Sequence, residues 1–241
     1  MNTEPVLIDF YRYPPIGPED WRYAFATARV RVLETQMPDR AMLADAAGAE
    51  RFEAAAEILS GTEYAIGAKA TAAEIEEMLM ARRSEARRQF ADLMIDKGIV
   101  QMLRAREDFV NMRLAVRRVV TDKPLGLDYS REGNVPAEEF EEIFEQEYYE
   151  RFPDYLQEAV EAAVLGYYEN KDIRQIDYAI DRVEALWRIR YCQQNKSQFG
   201  LSMFRIRIDL YNLRTLMRLK FAERDERFHF FPEGFVEPDK F

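Results

Sequence analysis

The stretch running from Asp209 to Lys220 is written twice in this chain, the earlier version running from Asp108 to Val119. The two differ by one offset, 209 − 108 = 101, which holds well beyond these segments without a gap. Met102, Arg104, Arg106, Asp108, Asn111, Arg113 and Arg117 recur as Met203, Arg205, Arg207, Asp209, Asn212, Arg214 and Arg218. Downstream, Glu132-Gly133, Val135 and Phe140 recur as Glu233-Gly234, Val236 and Phe241; upstream, Ile75 and Arg87 recur as Ile176 and Arg188. A tandem repeat of about one hundred residues, longer than the usual solenoid units, restricts the chain to folds that build one module twice.

The module is helical. Apolar residues recur at spacings of three and four, and Ala, Leu, Glu and Arg dominate while Gly and Pro number ten each, so periodicity and propensity agree. Residues 1–19, with Pro5, Pro14, Pro15 and Pro18, read as an irregular lead-in, and Pro18-Glu-Asp20 as a helix start. Trp21, Phe25, Ala28, Val32 and Gln36 follow one turn apart; Asp39 caps a short helix with a break at Ala47-Gly48, and Phe52 to Leu59 forms another that ends at Ser60-Gly61. Thr71 with Glu74 has capping-box spacing and opens a long helix, with Lys97-Gly98 expected at its end. The first signature helix is expected from about Ile99 to Val120. After a connection through Asn134, Pro136 opens an acidic helix that Phe152-Pro153 breaks or kinks. Tyr155 to Tyr168 and Ile176 to Phe199 are helical, with a turn at Asn170-Lys-Asp172, and Gly200 marks a break before the second signature helix, Leu201 to Ala222. The repeat divides the chain into the lead-in, a first unit of residues 20–134 and a second of residues 135–241.

At about 100° per residue, Ala105, Phe109, Met112 and Val116 form one apolar stripe, as do Ile206, Leu210, Leu213 and Met217, and both stripes are expected to face a core. Arg104, Asp108 and Asn111 share one flank, matched by Arg205, Asp209 and Asn212; Arg106, Arg113 and Arg117 share the other, matched by Arg207, Arg214 and Arg218. Asp and Asn inside a helix cost propensity, about 1 kcal/mol per helix. The expected compensation is a structural polar network in which they bond to neighbouring helix ends or to the Arg four residues earlier, fixing how helices cross. Lining a pocket is the weaker reading, because the pair has no titrating partner.

The net charge of −10 argues against nucleic acid as a partner. Charge is also unevenly placed. Thirteen acids lie between Glu132 and Asp172 against Arg151 and Lys171, whereas ten basic residues lie between Arg174 and Phe221 against four acids. Pairing within the bundle is preferred over two faces for different proteins. One cysteine, Cys192, excludes an internal disulfide and fits a reducing compartment; the start lacks signal-peptide features, and no apolar run approaches the roughly 18 residues of a membrane span.

Catalytic chemistry finds little support. His229 is the single histidine and is expected to be a packed or surface residue, with no second imidazole for a metal. Glu138, Glu139, Glu142 and Glu145 lack the Glu-x-x-His pairs of a di-iron site and read as a solvated acidic face. Cys192 has no partner set for nucleophilic work, and no GxxxxGK[ST] loop implies direct nucleotide binding.

Asp209, Asn212-Leu213, Leu216, Arg218 and Lys220, with Tyr23, Ala28-Arg29-Val30-Arg31, Leu33-Glu34, Leu59-Ser60, Thr62 and Tyr64, resemble the C subunit of V-type and A-type ATPases, called d in eukaryotes. The resemblance covers residues 20–241 and rests on order and spacing plus the repeat. Thr27 stands where the family pattern suggests Asn, and Val119 where the second copy has Lys220. The resemblance implies an all-α fold of tandem pseudo-symmetric helical bundles, with two of the usual three units in this sequence. By the offset, Phe241 matches Phe140, where a third unit would begin; truncation and divergence are equally compatible with that. It further implies a protein without active site, cofactor or metal, peripheral on the cytoplasmic face of the membrane and held there through the complex. Its partners would be the central stalk and the proteolipid ring, between which it transmits torque. Arg29, Arg31 and the arginine flanks (Arg106, Arg113 and Arg117; Arg207, Arg214 and Arg218) are the candidate contacts. The competing reading is a helical adaptor or regulator with other partners; an enzyme on a helical fold has no motif behind it.

Overall fold

The computed structural model describes residues 18–124, 128–195, 197–224 and 229–241. Most of the lead-in expected over residues 1–19, and Phe228 of the aromatic tail, lie outside them. All regular structure among the described residues is helical. A 3-10 turn, Pro18–Tyr23, leads into α1 (Ala24–Glu34), α2 (Arg40–Gly48), α3 (Phe52–Leu59), α4 (Ala72–Leu93) and α5 (Lys97–Val120). Then come α6 (Ala137–Gln146), α7 (Asp154–Asn170), α8 (Arg174–Gln194) and α9 (Gln198–Phe221), and a final 3-10 turn at Pro238–Lys240. The chain forms two compact units, residues 13–100 and, among the residues described, 101–241; the change from one to the other falls inside α5. This partition by compactness differs from the partition by copying, because a copied segment need not fold on itself.

In the unit 13–100, caps expected from sequence set two helix starts. Asp39 accepts from Met42 N at 2.8 Å, and Thr71 and Glu74 form a full capping box. Helix α4 ends before Lys97-Gly98, at Leu93. Asp96 is held by Tyr23, whose hydroxyl donates to its carboxylate at 2.7 Å and accepts from its amide at 2.9 Å, while Lys97 Nζ donates to Ala91 O. Gly98 therefore lies in the first turn of α5. Burial is thin in this unit: Ala56 and Val100 are its buried apolar residues among those described, and Trp21 and Phe25 of the predicted α1 stripe are exposed.

The unit 101–241 has a dense core. Phe109, Met112 and Val116 of α5 pack with Phe140 and Ile143 of α6, Leu156 and Ala163 of α7, and Ile176 and Ile180 of α8. The Phe109 ring meets Tyr155 at 5.4 Å and Trp187 at 5.9 Å. Helix α6 stops well before Phe152-Pro153: Glu147 turns left-handed (φ 52°) and Tyr148 N bonds back to Ile143 O. Pro153 instead starts α7, its carbonyl accepting from Leu156 N at 2.8 Å. The break expected at Gly200 lies earlier, at Asn195, and Gly200 sits inside α9. Glycine at 200 serves close packing instead: a Cβ there would stand 2.9 Å from both Cys192 Sγ and Ser197 Oγ. A second cluster forms there from Met102, Ile189, Cys192, Phe204, Ile208 and Phe231.

The charge asymmetry resolves partly into pairs inside this unit. Arg190 of the basic segment meets Glu158 of the acidic one, and Arg113 and Arg117 of α5 meet Asp181 and Asp177 of α8.

Candidate functional site

The copied Asp and Asn do the same work in both signature helices. Asn111 Nδ2 donates to Ser130 O and its Oδ1 accepts from Ser130 N, each at 2.8 Å; Asn212 makes the same two bonds to Phe231, each at 2.8 Å. Asp108 Oδ1 accepts from Asn134 N at 2.8 Å and Val135 N at 3.1 Å; Asp209 accepts from Phe235 N at 3.1 Å and Val236 N at 3.2 Å. Every partner moves by the repeat offset. An amide side chain has both a donor and an acceptor, so Asn alone can satisfy both backbone groups of one loop residue. The carboxylate accepts from two consecutive N–H groups that approach the next helix start, on one oxygen in Asp108 and on both in Asp209. Together they pin the returning loop to the helix.

More of the module recurs. Asp122 and Glu223 both turn left-handed at φ 52°, ending α5 and α9, and Lys123 N to Arg118 O and Arg224 N to Leu219 O close the same turn at 2.9 Å. The Tyr129 ring lies tilted against Phe140 at 5.8 Å, and Phe230 against Phe241 at 5.6 Å. Sequence reasoning missed the part played by Gly133 and Gly234. A Cβ on either would lie 2.1 Å from the oxygen of Asp108 or Asp209, so glycine is required for close approach, not for an unusual φ. The available signal was the equal separation, 133 − 108 = 234 − 209 = 25.

The copies differ in one partner set. Asp108 Oδ2 also accepts from Tyr155 Oη at 2.6 Å and Asn134 Nδ2 at 3.0 Å, whereas position 235 is Phe. Burial raises the Asp108 carboxyl above the usual range, opposed by the Tyr155, Val135 and Asn134 bonds. The Tyr155 hydroxyl is driven far above its ordinary range by burial and by the charge and hydrogen bond of Asp108, so it stays a donor. A carboxylate with four donors on it and a phenol that keeps its proton make a structural joint, poorly placed for proton transfer. Cys192 is buried as well, and burial raises its thiol against the opposing charge of Arg188.

The arginines in the predicted sets are dispersed. Arg104 is exposed, and Arg205 lies over the Phe235 ring at 5.7 Å; neither bonds to the Asp four residues on. Arg113 and Arg117 are engaged by α8, while Arg106, Arg207, Arg214 and Arg218 are exposed. Arg31 pairs with Glu34 at 2.8 Å, and Arg29 borders a concavity of about 470 Å³ with Gln36, Glu63, Met78, Arg82 and Glu85. The stripe of α9 does not face a core: Leu210, Leu213 and Met217 are exposed, because no layer corresponding to α6–α8 covers them among the described residues.

His229 packs against Tyr178 at 4.5 Å. No group of three or more His, Cys, Asp or Glu among the described residues could hold a metal, and no described helix is long and apolar enough to cross a membrane.

No curated protein and no solved structure matches the chain. A family model does: that of the ATP synthase (C/AC39) subunit matches residues 26–241, from within α1 through α9, with both copies of the clamp. With that match extending over most of the chain, this all-helical protein belongs to the ATP synthase (C/AC39) subunit family of the V-type and A-type ATPases.

Proposed function

We propose that this chain is a non-catalytic rotor subunit of a V/A-type ATPase, seated between the central stalk and the membrane proteolipid ring and carrying torque between ATP turnover and ion movement. The observation that carries the reading is the family match over residues 26–241. The clamp supports it: a coupling part must hold its shape under load, and a loop bonded through Asp and Asn to a 24-residue helix is pinned at both backbone and side chain. The partners are proteins, and contact with the membrane runs through the complex on its cytoplasmic face. Exposed Arg29, Arg106, Arg207, Arg214 and Arg218 are the contacts in this reading, while Arg113 and Arg117 act indirectly by holding α8.

The test is purification of the complex from cells making a tagged full-length chain. Stalk subunits and proteolipid should elute with it, and ATP hydrolysis coupled to ion movement should be lost without it. The double variant R29E/R207E should reduce retention at moderate salt while the thermal midpoint of the isolated chain stays unchanged. A complex that assembles and couples fully in the absence of the chain would overturn the proposal; a chain eluting with other proteins alone would be an adaptor.

A further inference from the structure

The clamp repeats, and the walls beside it do not. Helices α8 and α9 and the clamped loop border a cleft of about 170 Å³. Its floor is apolar: Phe204 and Ile208 are buried, and the Tyr211 ring stacks on Phe231 at 4.2 Å with 10° between the planes. Its rim is charged, with Asp181, Glu184 and Arg188 on α8 and Arg207 on α9. The clamp requires none of this. Asn212 holds only the backbone of Phe231, and its counterpart Asn111 holds that of Ser130. By the same offset, Leu103 and Val110 stand where the floor has Phe204 and Tyr211, and Met80 and Arg83 where the rim has Asp181 and Glu184. The cleft also lies off the helix face that a following layer covers. In α5, whose stripe α6–α8 do cover, Leu103 and Val110 keep 44% and 42% exposure and Arg106 is exposed, while Phe109 and Met112 are fully buried.

The hydrogen-bonding capacity left on the rim is of both signs. Arg188 donates to Glu184 Oε1 at 2.7 Å and lies over the Phe204 ring at 5.0 Å, and Asp181 Oδ1 takes Arg113. Asp181 Oδ2, Glu184 Oε2 and the Arg207 guanidinium have no bond among the described residues. Burial raises the Asp181 carboxyl above its ordinary range, Arg113 opposes this, and Glu184 and Asp177 add to it, so a cation arriving there relieves crowded negative charge. Two acceptors one turn apart on α8, a fork of donors on α9 and an apolar floor match an ammonium, a carboxylate and a hydrocarbon side chain. A void of about 150 Å³ holds a benzene ring, so the space suits one short aliphatic or aromatic group. We infer that this cleft binds a free apolar α-amino acid, its ammonium on Asp181 and Glu184, its carboxylate on Arg207 and its side chain against Ile208 and Tyr211. The inference stands on residues of one compact unit and does not need the rotor assignment.

The test is isothermal titration of the full chain with L-leucine and L-phenylalanine. Saturable binding of at least one is expected. Leucinamide, which lacks the carboxylate, and isocaproate, which lacks the ammonium, should each bind roughly tenfold or more weakly than L-leucine. Arg207→Gln, at an exposed position, should weaken L-leucine by a similar factor and leave the residual affinity for leucinamide unchanged, which a general loss of structure would not do. Ala185→Leu, which fills the cleft from α8, should abolish binding with the circular dichroism intact. No saturable binding of either amino acid, equal binding of leucinamide and L-leucine, or binding of L-leucine indifferent to Arg207→Gln would each overturn the inference.

Discussion

At the scale of single residues, the decisive contact is between a carboxylate oxygen and a missing side chain. Gly133 and Gly234 have negative φ and are held by proximity, since a Cβ would come within 2.1 Å of the Asp oxygen that anchors the following amides. Gly133→Ala must displace either the loop or Asp108, and the cost expected is about 1–3 kcal/mol. Gly234→Ala should cost a similar amount at Asp209. Gly166, inside α7, is the control: its Cβ would meet nothing nearer than 3.6 Å, so Gly166→Ala should stabilise by about 0.5–1 kcal/mol through helix propensity. Urea unfolding of the three variants checks the opposite signs. Two losses and a gain support the clamp; three gains would show that the loop yields freely.

Among the elements, α5 and α9 form a natural comparison, because the same position in the repeat is core in one and surface in the other. Phe109→Ala should cost about 3–5 kcal/mol, while Leu210→Ala should stay within about 0.5 kcal/mol of wild type, both measured by chemical denaturation. The helices were largely legible in sequence: α2 through Asp39, α4 through Thr71 and Glu74, and α5 and α9 through their shared pattern. Their ends were less so. Local signals suggested breaks at Gly98 and Gly200, but Tyr23 on Asp96 is a long-range contact and Cys192 against Gly200 joins two helices, and periodicity records neither. The polar flank was visible as a recurring Asp-x-x-Asn, whereas its target, a loop 19 to 27 residues downstream, was not. Nor could periodicity reveal that the α9 stripe is exposed, since an amphipathic pattern specifies a face without saying what covers it.

For the molecule as a whole, two compact units with unequal cores imply unequal resistance to opening. Residues 101–241 hold nearly all the buried side chains, and residues 13–100 contribute Ala56 and Val100 among those described. Native-state hydrogen exchange should therefore find the slowest amides in the buried parts of α5, α7 and α8, with α1–α3 exchanging faster. Uniform protection across both units would contradict the burial pattern. The packing around Cys192 also has a practical outcome. The one native thiol is enclosed by Met102, Gly200 and Ile189 and is held protonated by burial, so alkylating dyes should pass it by under native conditions. A cysteine placed at an exposed position such as 213 would then be the only reactive handle on the chain, and a fluorophore or spin label could be installed there without first deleting the natural sulfur.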